Sequence, residues 1–469
     1  MNYGKNYLFY VMISKMLRIC GSLIESRPIS AYSLSAIRIW VCLMLLINVL
    51  WNDLSSASLI PRELALIDKM GVPGVLFYLP IRMDSFVQSE LALAIFQWTT
   101  ITLLFCSMIG FFTRITLPLS AIFFCVFSGL MRLYVWQFHT MVVPLYILIV
   151  LVFSGSGRSL SIDGLIRKKQ GKNSLSIHTK DKYVRYCIWV VIAIPYFLAG
   201  LSKIRNGGIG WLGARSFKTT LMQTNLNPMH FDFDFTLKFF DLPDWVFSGM
   251  AFSGVLTEIL FVTILFCTIC RKVFPFMAVL LHISILFFQN ILFIDLILIQ
   301  FIFYDYSFLA KWLGLKELNL TNTGMKKSSV VRFAPVVIVG VFSLLWVFRV
   351  QSHPLSAWQM FSGQKNGKCK YFKLYAELED GSVSPLRIEE YIPYYQDTRY
   401  RKLVTRSLTK NAVDFNLLLD NIKPIWDGKH ESKFNLNCVT SEFWIWDIDN
   451  HKQFPGGKML KQNRYCFDN

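Results

Sequence analysis

Chemistry in this chain starts at Tyr196-Phe197-Leu198-Ala199-Gly200-Leu201-Ser202-Lys203, followed by Trp211-Leu212-Gly213. An apolar run from Tyr186 to Leu201 ends in Lys203 and opens into a glycine-rich loop carrying Trp211. A lysine where hydrocarbon meets water is partly desolvated, which suits it to act as a base instead of a permanent cation. The ordinary alternative is an ammonium that snorkels from a helix end to the lipid head groups. Other ionisable side chains fall in or beside apolar stretches: His139 after Trp136-Gln137-Phe138, Glu258, His282, Asp295 and Arg38. Such groups are costly at membrane depth, so each needs a partner or a role. Four of them converging on one outward-facing polar cavity would make a chemical site. Taken singly, His282 reads as a core histidine bonded to a backbone carbonyl, and Glu258 as a partner of Arg38 or His282. Asp295 reads as a cap of its own helix, and His139 as an interface residue.

The elements that must position these groups are membrane spans. Of 469 residues, 54% are apolar and only 17% charged, and mean hydropathy is +0.43, the composition of a polytopic membrane protein. The net charge of +18 sits in short loops, which fits topology signals and argues against a nucleic-acid surface. Nine segments are expected to span the bilayer, at about 33–51, 88–112, 115–135, 140–154, 183–202, 246–270, 272–290, 291–310 and 332–349. Positive charge recurs on alternate loops: the N-terminal arm, Arg114, the stretch from Arg158 to Lys182, Arg271-Lys272, and Lys311 to Lys327. That alternation predicts a cytoplasmic N-terminus and an extracytoplasmic C-terminal region. Residues 1–30, with Lys5, Lys15 and Arg18 among apolar neighbours, read as an interfacial helix.

Residues 31–349 thus form the transmembrane domain and residues 350–469 a separate extracytoplasmic one. In the latter, alternation over Lys370–Leu378 before Asp380-Gly381 predicts two strands around a tight turn, and Phe443–Trp446 a further strand. Ser356–Phe361 is expected to be an interfacial aromatic anchor. Among ten cysteines, Cys369, Cys438 and Cys466 fall on the oxidising face, so one disulfide and one thiol are expected, with the pairing open. Cys267 and Cys270 form a lone CxxC in an apolar setting, and no metal site is expected there.

The span-and-loop pattern of Tyr196 to Lys203 with Trp211 and Gly213, joined in order by Phe112-Thr113-Arg114, Ser159-Leu160-Ser161-Ile162-Asp163, Glu258 and His282, resembles the horizontally transferred transmembrane (HTTM) domain family, the relatives of vitamin K-dependent gamma-carboxylase. The resemblance covers residues 30 to 310. It implies a base on the lumenal side that deprotonates vitamin K hydroquinone. Oxygen then turns the quinol into a strong base that removes a proton from a substrate glutamate, and carbon dioxide adds to the carbanion. By the same resemblance Lys203 would be the first base and His139 would steady the developing oxyanion, with His282 a further polar stabiliser. Glu258, Asp295 and Trp211 are candidates for the cavity around them. The family has two adjacent lysines where this chain has Ser202-Lys203, and an asparagine before its histidine where Gln137-Phe138 stand here.

The expected fold is therefore an all-α polytopic bundle of about nine spans with a small C-terminal β-rich domain, in a bacterial cytoplasmic membrane. The expected function is a quinol-dependent modification, carboxylase- or lyase-like, of an exported peptide or protein, with vitamin K hydroquinone or another quinol as cofactor. The alternative is a non-enzymatic partner in the maturation or export of a secreted peptide. A transporter is disfavoured by the absence of matched, Gly/Pro-broken helix pairs.

Overall fold

Helices form at all nine apolar segments in a computed structural model of the chain. It describes residues 32–55, 83–134, 139–171, 179–226, 235–304, 332–391, 413–430, 432–453 and 455–467, with positions 58, 71, 72, 74, 75, 231 and 233. The expected interfacial helix over residues 1–30, the Trp136-Gln137-Phe138 loop and the basic stretch Lys311 to Lys327 lie outside the described residues.

Long apolar runs in lipid must satisfy every backbone group internally, and a helix does so within one segment. The helices that build the bundle and its cavity are α1 (Ser33–Trp51), α2 (Glu90–Ile109), α3 (Thr113–Tyr134), α4 (Val142–Val152), α5 (Ile162–Lys169), α6 (Thr179–Gly207), α7 (Ala214–Asn225), α8 (Asp244–Leu260), α9 (Cys270–Gln289), α10 (Ile294–Leu298) and α11 (Ala334–Val347), with short turns at Met83–Val87 and Phe235–Lys238. Among the described residues six helical stretches are long and apolar enough to cross a membrane: α1, α2, α3, α6, α8 with its 3-10 continuation to Leu265, and α9. The other three expected spans are shorter apolar helices at Val142–Val152, Ile294–Phe303 and Ala334–Val347. Eleven residues rise only about 16 Å against a hydrocarbon core of about 30 Å, so α4 does not reach across unaided. Of the six stretches α6 is the most buried, with 78% of its apolar window inside the protein. It is the axis on which α4, α8 and α11 pack.

Cross-links define two ends of the bundle. At the first, buried Arg38 of α1 donates to Ser156 O (2.5 Å) and Leu160 O (2.5 Å). Beside it the Asp163 carboxylate accepts from Phe112 N, Thr113 N and Thr113 Oγ1. At the second, Gln97 donates to Val49 O and Asn52 O, Trp211 Nε1 to Phe361 O (2.8 Å), and Arg205 to Trp346 O (3.0 Å). The basic clusters Arg167-Lys168-Lys169, in the last turn of α5, and Arg271-Lys272, in the first turn of α9, lie toward the first end, whereas Lys203 and the C-terminal region belong to the second.

After α11 come a short ribbon, β1 (Gln351–Ser352) and β2 (Leu355–Ser356), and a sheet of β3 (Lys368–Leu378), β4 (Val383–Pro385), β5 (Leu436–Asp447) and β6 (Lys458–Cys466) in the order β4-β3-β5-β6, all neighbours antiparallel. The predicted hairpin and later strand are β3, β4 and β5, with Gly381 supplying φ +81° in the turn. Side chains alternate across a strand. Leu374, Ala376 and Leu378 accordingly join the cluster holding Leu418, Leu419 and Ile422 of α12 (Val413–Lys429). Cys369 and Tyr371 face the other way, into a cluster with Met222 of α7. The disulfide joins Cys438 and Cys466, directly opposite on β5 and β6, and Cys369 is the thiol left over, buried and donating to Thr219 O (3.5 Å).

Candidate functional site

The site is assembled by helical spacing. On α6, Tyr196, Ala199 and Lys203 stand at i, i+3 and i+7, one face of a helix. On α8, Met250, Gly254, Thr257 and Glu258 repeat the pattern, and on α9 so do Leu281, Ser284, Ile285 and Gln289. These three faces, together with α7, enclose a cavity of about 340 Å³, within the size range of ligand sites. Its walls are mostly apolar. Gly200 permits the approach that makes its polar end: a Cβ there would lie 2.7 Å from Ile259 Cγ1 and 3.1 Å from Glu258 Cβ, so any larger residue would push α8 off α6.

At that end Lys203 Nζ donates to both oxygens of Glu258, at 2.8 and 2.7 Å, with side chains only 9% and 13% exposed. Two charges this far from water persist because each neutralises the other. The Trp211 ring lies 5.6 Å from Nζ, in cation–π range. A second polar group sits on the same wall: Tyr196 OH lies 2.7 Å from His282 Nε2 and accepts from Gln300 Nε2 at 3.0 Å. The Tyr196 ring stacks on Phe261 at 4.4 Å.

Four sequence-predicted residues, Lys203, Trp211, Glu258 and His282, thus line one cavity. His139 and Asp295 do not. His139 stacks on Trp358 at 4.8 Å and lies 3.1 Å from Ser356 Oγ, so the Trp358 ring, which lines the cavity, separates it from the interior. Burial and the neighbouring Arg132 charge hold its imidazole below the usual histidine range. Asp295 Oδ2 accepts from Met141 N at 2.7 Å and so caps α4 as a neighbour, beyond the expected role on its own helix. Glu258 pairs with Lys203 and not with Arg38 or His282, and His282 bonds a phenol in place of a backbone carbonyl.

Ser356–Phe361 is not an interfacial anchor. Trp358 is 2% exposed, and Trp358, Met360 and Phe361 close the cavity at the second end. Trp358 and Phe361 both hold positive φ, +52° and +48°, a costly backbone for bulky residues that the surrounding contacts must fix. Sequence reasoning also missed α7, whose Phe217, Thr220 and Leu221 line the cavity. The spacing of buried Leu221, Met222 and Asn225 within an otherwise polar loop is its only signal. Among the described residues no group of three or more His, Cys, Asp or Glu side chains could hold a metal.

The HTTM domain profile matches residues 26–307, more than half of the chain. The chain belongs to the HTTM domain family. The HTTM match contains Lys203, Trp211, Glu258 and His282 and ends before α11, so Trp358, Met360 and Phe361 come to the HTTM cavity from outside the matched stretch. No curated protein and no solved structure matches the chain.

Proposed function

We propose that this HTTM protein is a membrane enzyme whose Lys203–Glu258 pair takes a proton from a hydroxyl of a lipid-soluble quinol bound in the cavity, in the service of modifying an exported peptide or protein. The buried pair facing an apolar cavity is the observation that carries the reading. The pair is one base, not two residues with separate tasks. Whether its single shared proton sits on Nζ or on the carboxylate, uptake of one more leaves an ammonium beside a carboxylic acid. The ammonium then stays next to the oxygen that has lost its proton, where a water-poor setting strengthens the attraction. A bound quinol supplies the acidic hydroxyl and the reducing equivalents. The residues present fit such a molecule: apolar walls from α8 and α9, the charged pair at one end, and the Trp211 and Trp358 rings as flat surfaces.

Nine crossings with the first end cytoplasmic belong to the same reading, because the basic clusters gather there. The second end, with the cavity's polar end and the disulfide-bonded sheet, then faces the oxidising side where an exported partner passes. Of the short helices, α4 is largely surrounded by protein, as short buried segments at membrane depth are, whereas α11 turns Val336, Val337, Val341 and Leu344 outward.

The test is mass spectrometry of a glutamate-containing exported peptide incubated in air with the purified chain, reduced menaquinone and bicarbonate in nanodiscs, oxygen being the oxidant that the quinol needs. The expected product gains the mass of carbon dioxide on glutamate, and Lys203→Ala abolishes the gain. An unmodified peptide whose export or maturation still depends on the chain, undiminished by Lys203→Ala, would favour the non-enzymatic partner.

A further inference from the structure

The sheet at the second end of the bundle has two unlike edges. In the order β4-β3-β5-β6, the β4 edge is three residues long and ends in Pro385, which cannot donate to a further strand. The β6 edge runs nine residues, Lys458–Cys466, with no proline and no acid among them. Its backbone alternation follows from one bond: Phe467 N donates to Asn437 O at 3.0 Å, and two residues at a time the same pairing recurs at Tyr465 with Val439 and Asn463 with Ser441. The residues between, Gln462, Arg464 and Cys466, therefore turn their N–H and C=O groups away from β5. Among the described residues no strand pairs with that side, and the Cys438–Cys466 disulfide tethers its far end. A row of unpaired backbone groups is a template for a further strand.

Charge decides which strand fits. Lys458 lies in a row with Ile445 and Lys370, and Lys461 in a row with Phe443 and Phe372, so the three lysines share one face of the sheet. Lys458 and Lys461 make no ion pair among the described residues. The carboxylates nearby are already engaged: Glu377 by Arg464 Nε at 2.9 Å, Glu442 by Trp444 Nε1 at 2.9 Å and Asp420 by Tyr465 OH at 2.6 Å. A second copy of β6 would set cation against cation, which destabilises a strand pair. We infer that β6 is the docking edge for an extended acidic segment of a partner protein, which adds beside it as a further strand and sets carboxylates against Lys458 and Lys461. The Lys458 end leads toward the cavity: its row partner Ile445 precedes Trp446, which packs with Met222 of α7, and Phe217 and Leu221 of α7 line the cavity. The inference deepens the proposed function, resting on its exported partner and naming where that partner is held, but needs neither the quinol nor the base.

The test is fluorescence anisotropy of labelled eight-residue peptides added to the full-length chain in zwitterionic nanodiscs with no quinol present. Three probes share an alternating valine frame: one with glutamate at every second position, one with lysine there, and the glutamate form with its backbone nitrogens methylated. The glutamate peptide is expected to bind, and the other two at least about tenfold more weakly, the lysine form for its charge and the methylated form for its lost donors. Gln462→Pro removes an outward donor and no bond to β5, and is expected to weaken binding about fivefold to tenfold. Lys458→Gln with Lys461→Gln is expected to weaken it about threefold to tenfold. Equal binding of the glutamate and lysine peptides, or undiminished binding of the methylated one, overturns the inference. So does an acidic peptide that fails to bind, whether β6 instead holds phosphatidylglycerol vesicles through its lysines or pairs with a second copy in a two-chain particle that Gln462→Pro splits. Where Gln462→Pro does not fold, the methylated peptide on the wild-type chain decides. A peptide that binds here yet stays unmodified with quinol and bicarbonate counts against the enzyme reading alone.

Discussion

Removing one member of a buried ion pair is worse than removing both. Lys203→Ala strands the Glu258 carboxylate among apolar side chains, at a cost of about 3–5 kcal/mol in stability. Lys203→Met with Glu258→Gln keeps the volume and removes both charges, and its stability is expected to return to within about 1 kcal/mol of the wild type. Thermal melts of the purified variants check this. A double variant as unstable as Lys203→Ala would show that the two charges are not each other's main partner. The same logic explains why Lys203 alone could be singled out from the sequence and its partner could not. The lysine ends an apolar run and so announces itself, but Glu258 stands 55 positions further on, and the chain between them carries no sign of which helix face returns to meet it. Gly200 was the nearest clue, since only a close helix crossing gives a glycine there a reason.

The helices themselves were readable because apolar runs of about twenty residues have few other fates. Six of the nine expected spans have the length to cross, and the strands around Asp380-Gly381 fell where alternation put them. What could not be read was non-local: α7 as a cavity wall, and the Ser356–Phe361 segment folding back over the cavity. That fold-back is pinned by His353, whose Nδ1 meets Arg132 Nη1 of α3 while its Nε2 lies 3.1 Å from Cys125 O. An arginine donating to Nδ1 requires a neutral ring. Burial, reinforced by Arg132, accordingly pushes the His353 imidazole down to about 3. The unfolded chain takes up the proton near pH 6.5 and the folded one does not. The contribution of His353 is therefore full above pH 6.5 and is lost progressively as pH falls toward 3, at about 1.4 kcal/mol per pH unit. Melting temperature is expected to drop between pH 7 and pH 5 in the wild type, and His353→Gln should flatten that slope. An equal slope in both proteins would place the sensitivity elsewhere.

In the whole molecule, the pair, the closing segment and the disulfide-bonded sheet all lie at one end of the bundle, while the basic clusters lie at the other. α7 joins them: Phe217 and Leu221 line the cavity, Met222 packs with Tyr371 and Trp446 of the sheet, and Arg215 grips Asp449 through both guanidinium nitrogens at 2.8 and 2.9 Å. On the proposed function, an exported partner held by the sheet would lie one helix away from the Lys203–Glu258 pair. Alkaline phosphatase fused after residue 467 is expected to be active in a bacterial host and inactive when fused after Lys169. The reverse pattern would put the cavity's polar end on the cytoplasmic side and remove the exported partner from the account. The central claim is that the Lys203–Glu258 pair carries the chemistry, and the turnover of the stability-restored Lys203→Met/Glu258→Gln variant tests it most directly. A folded double variant with turnover at least about a hundredfold below wild type is the expected result, and a folded double variant with wild-type turnover would contradict it.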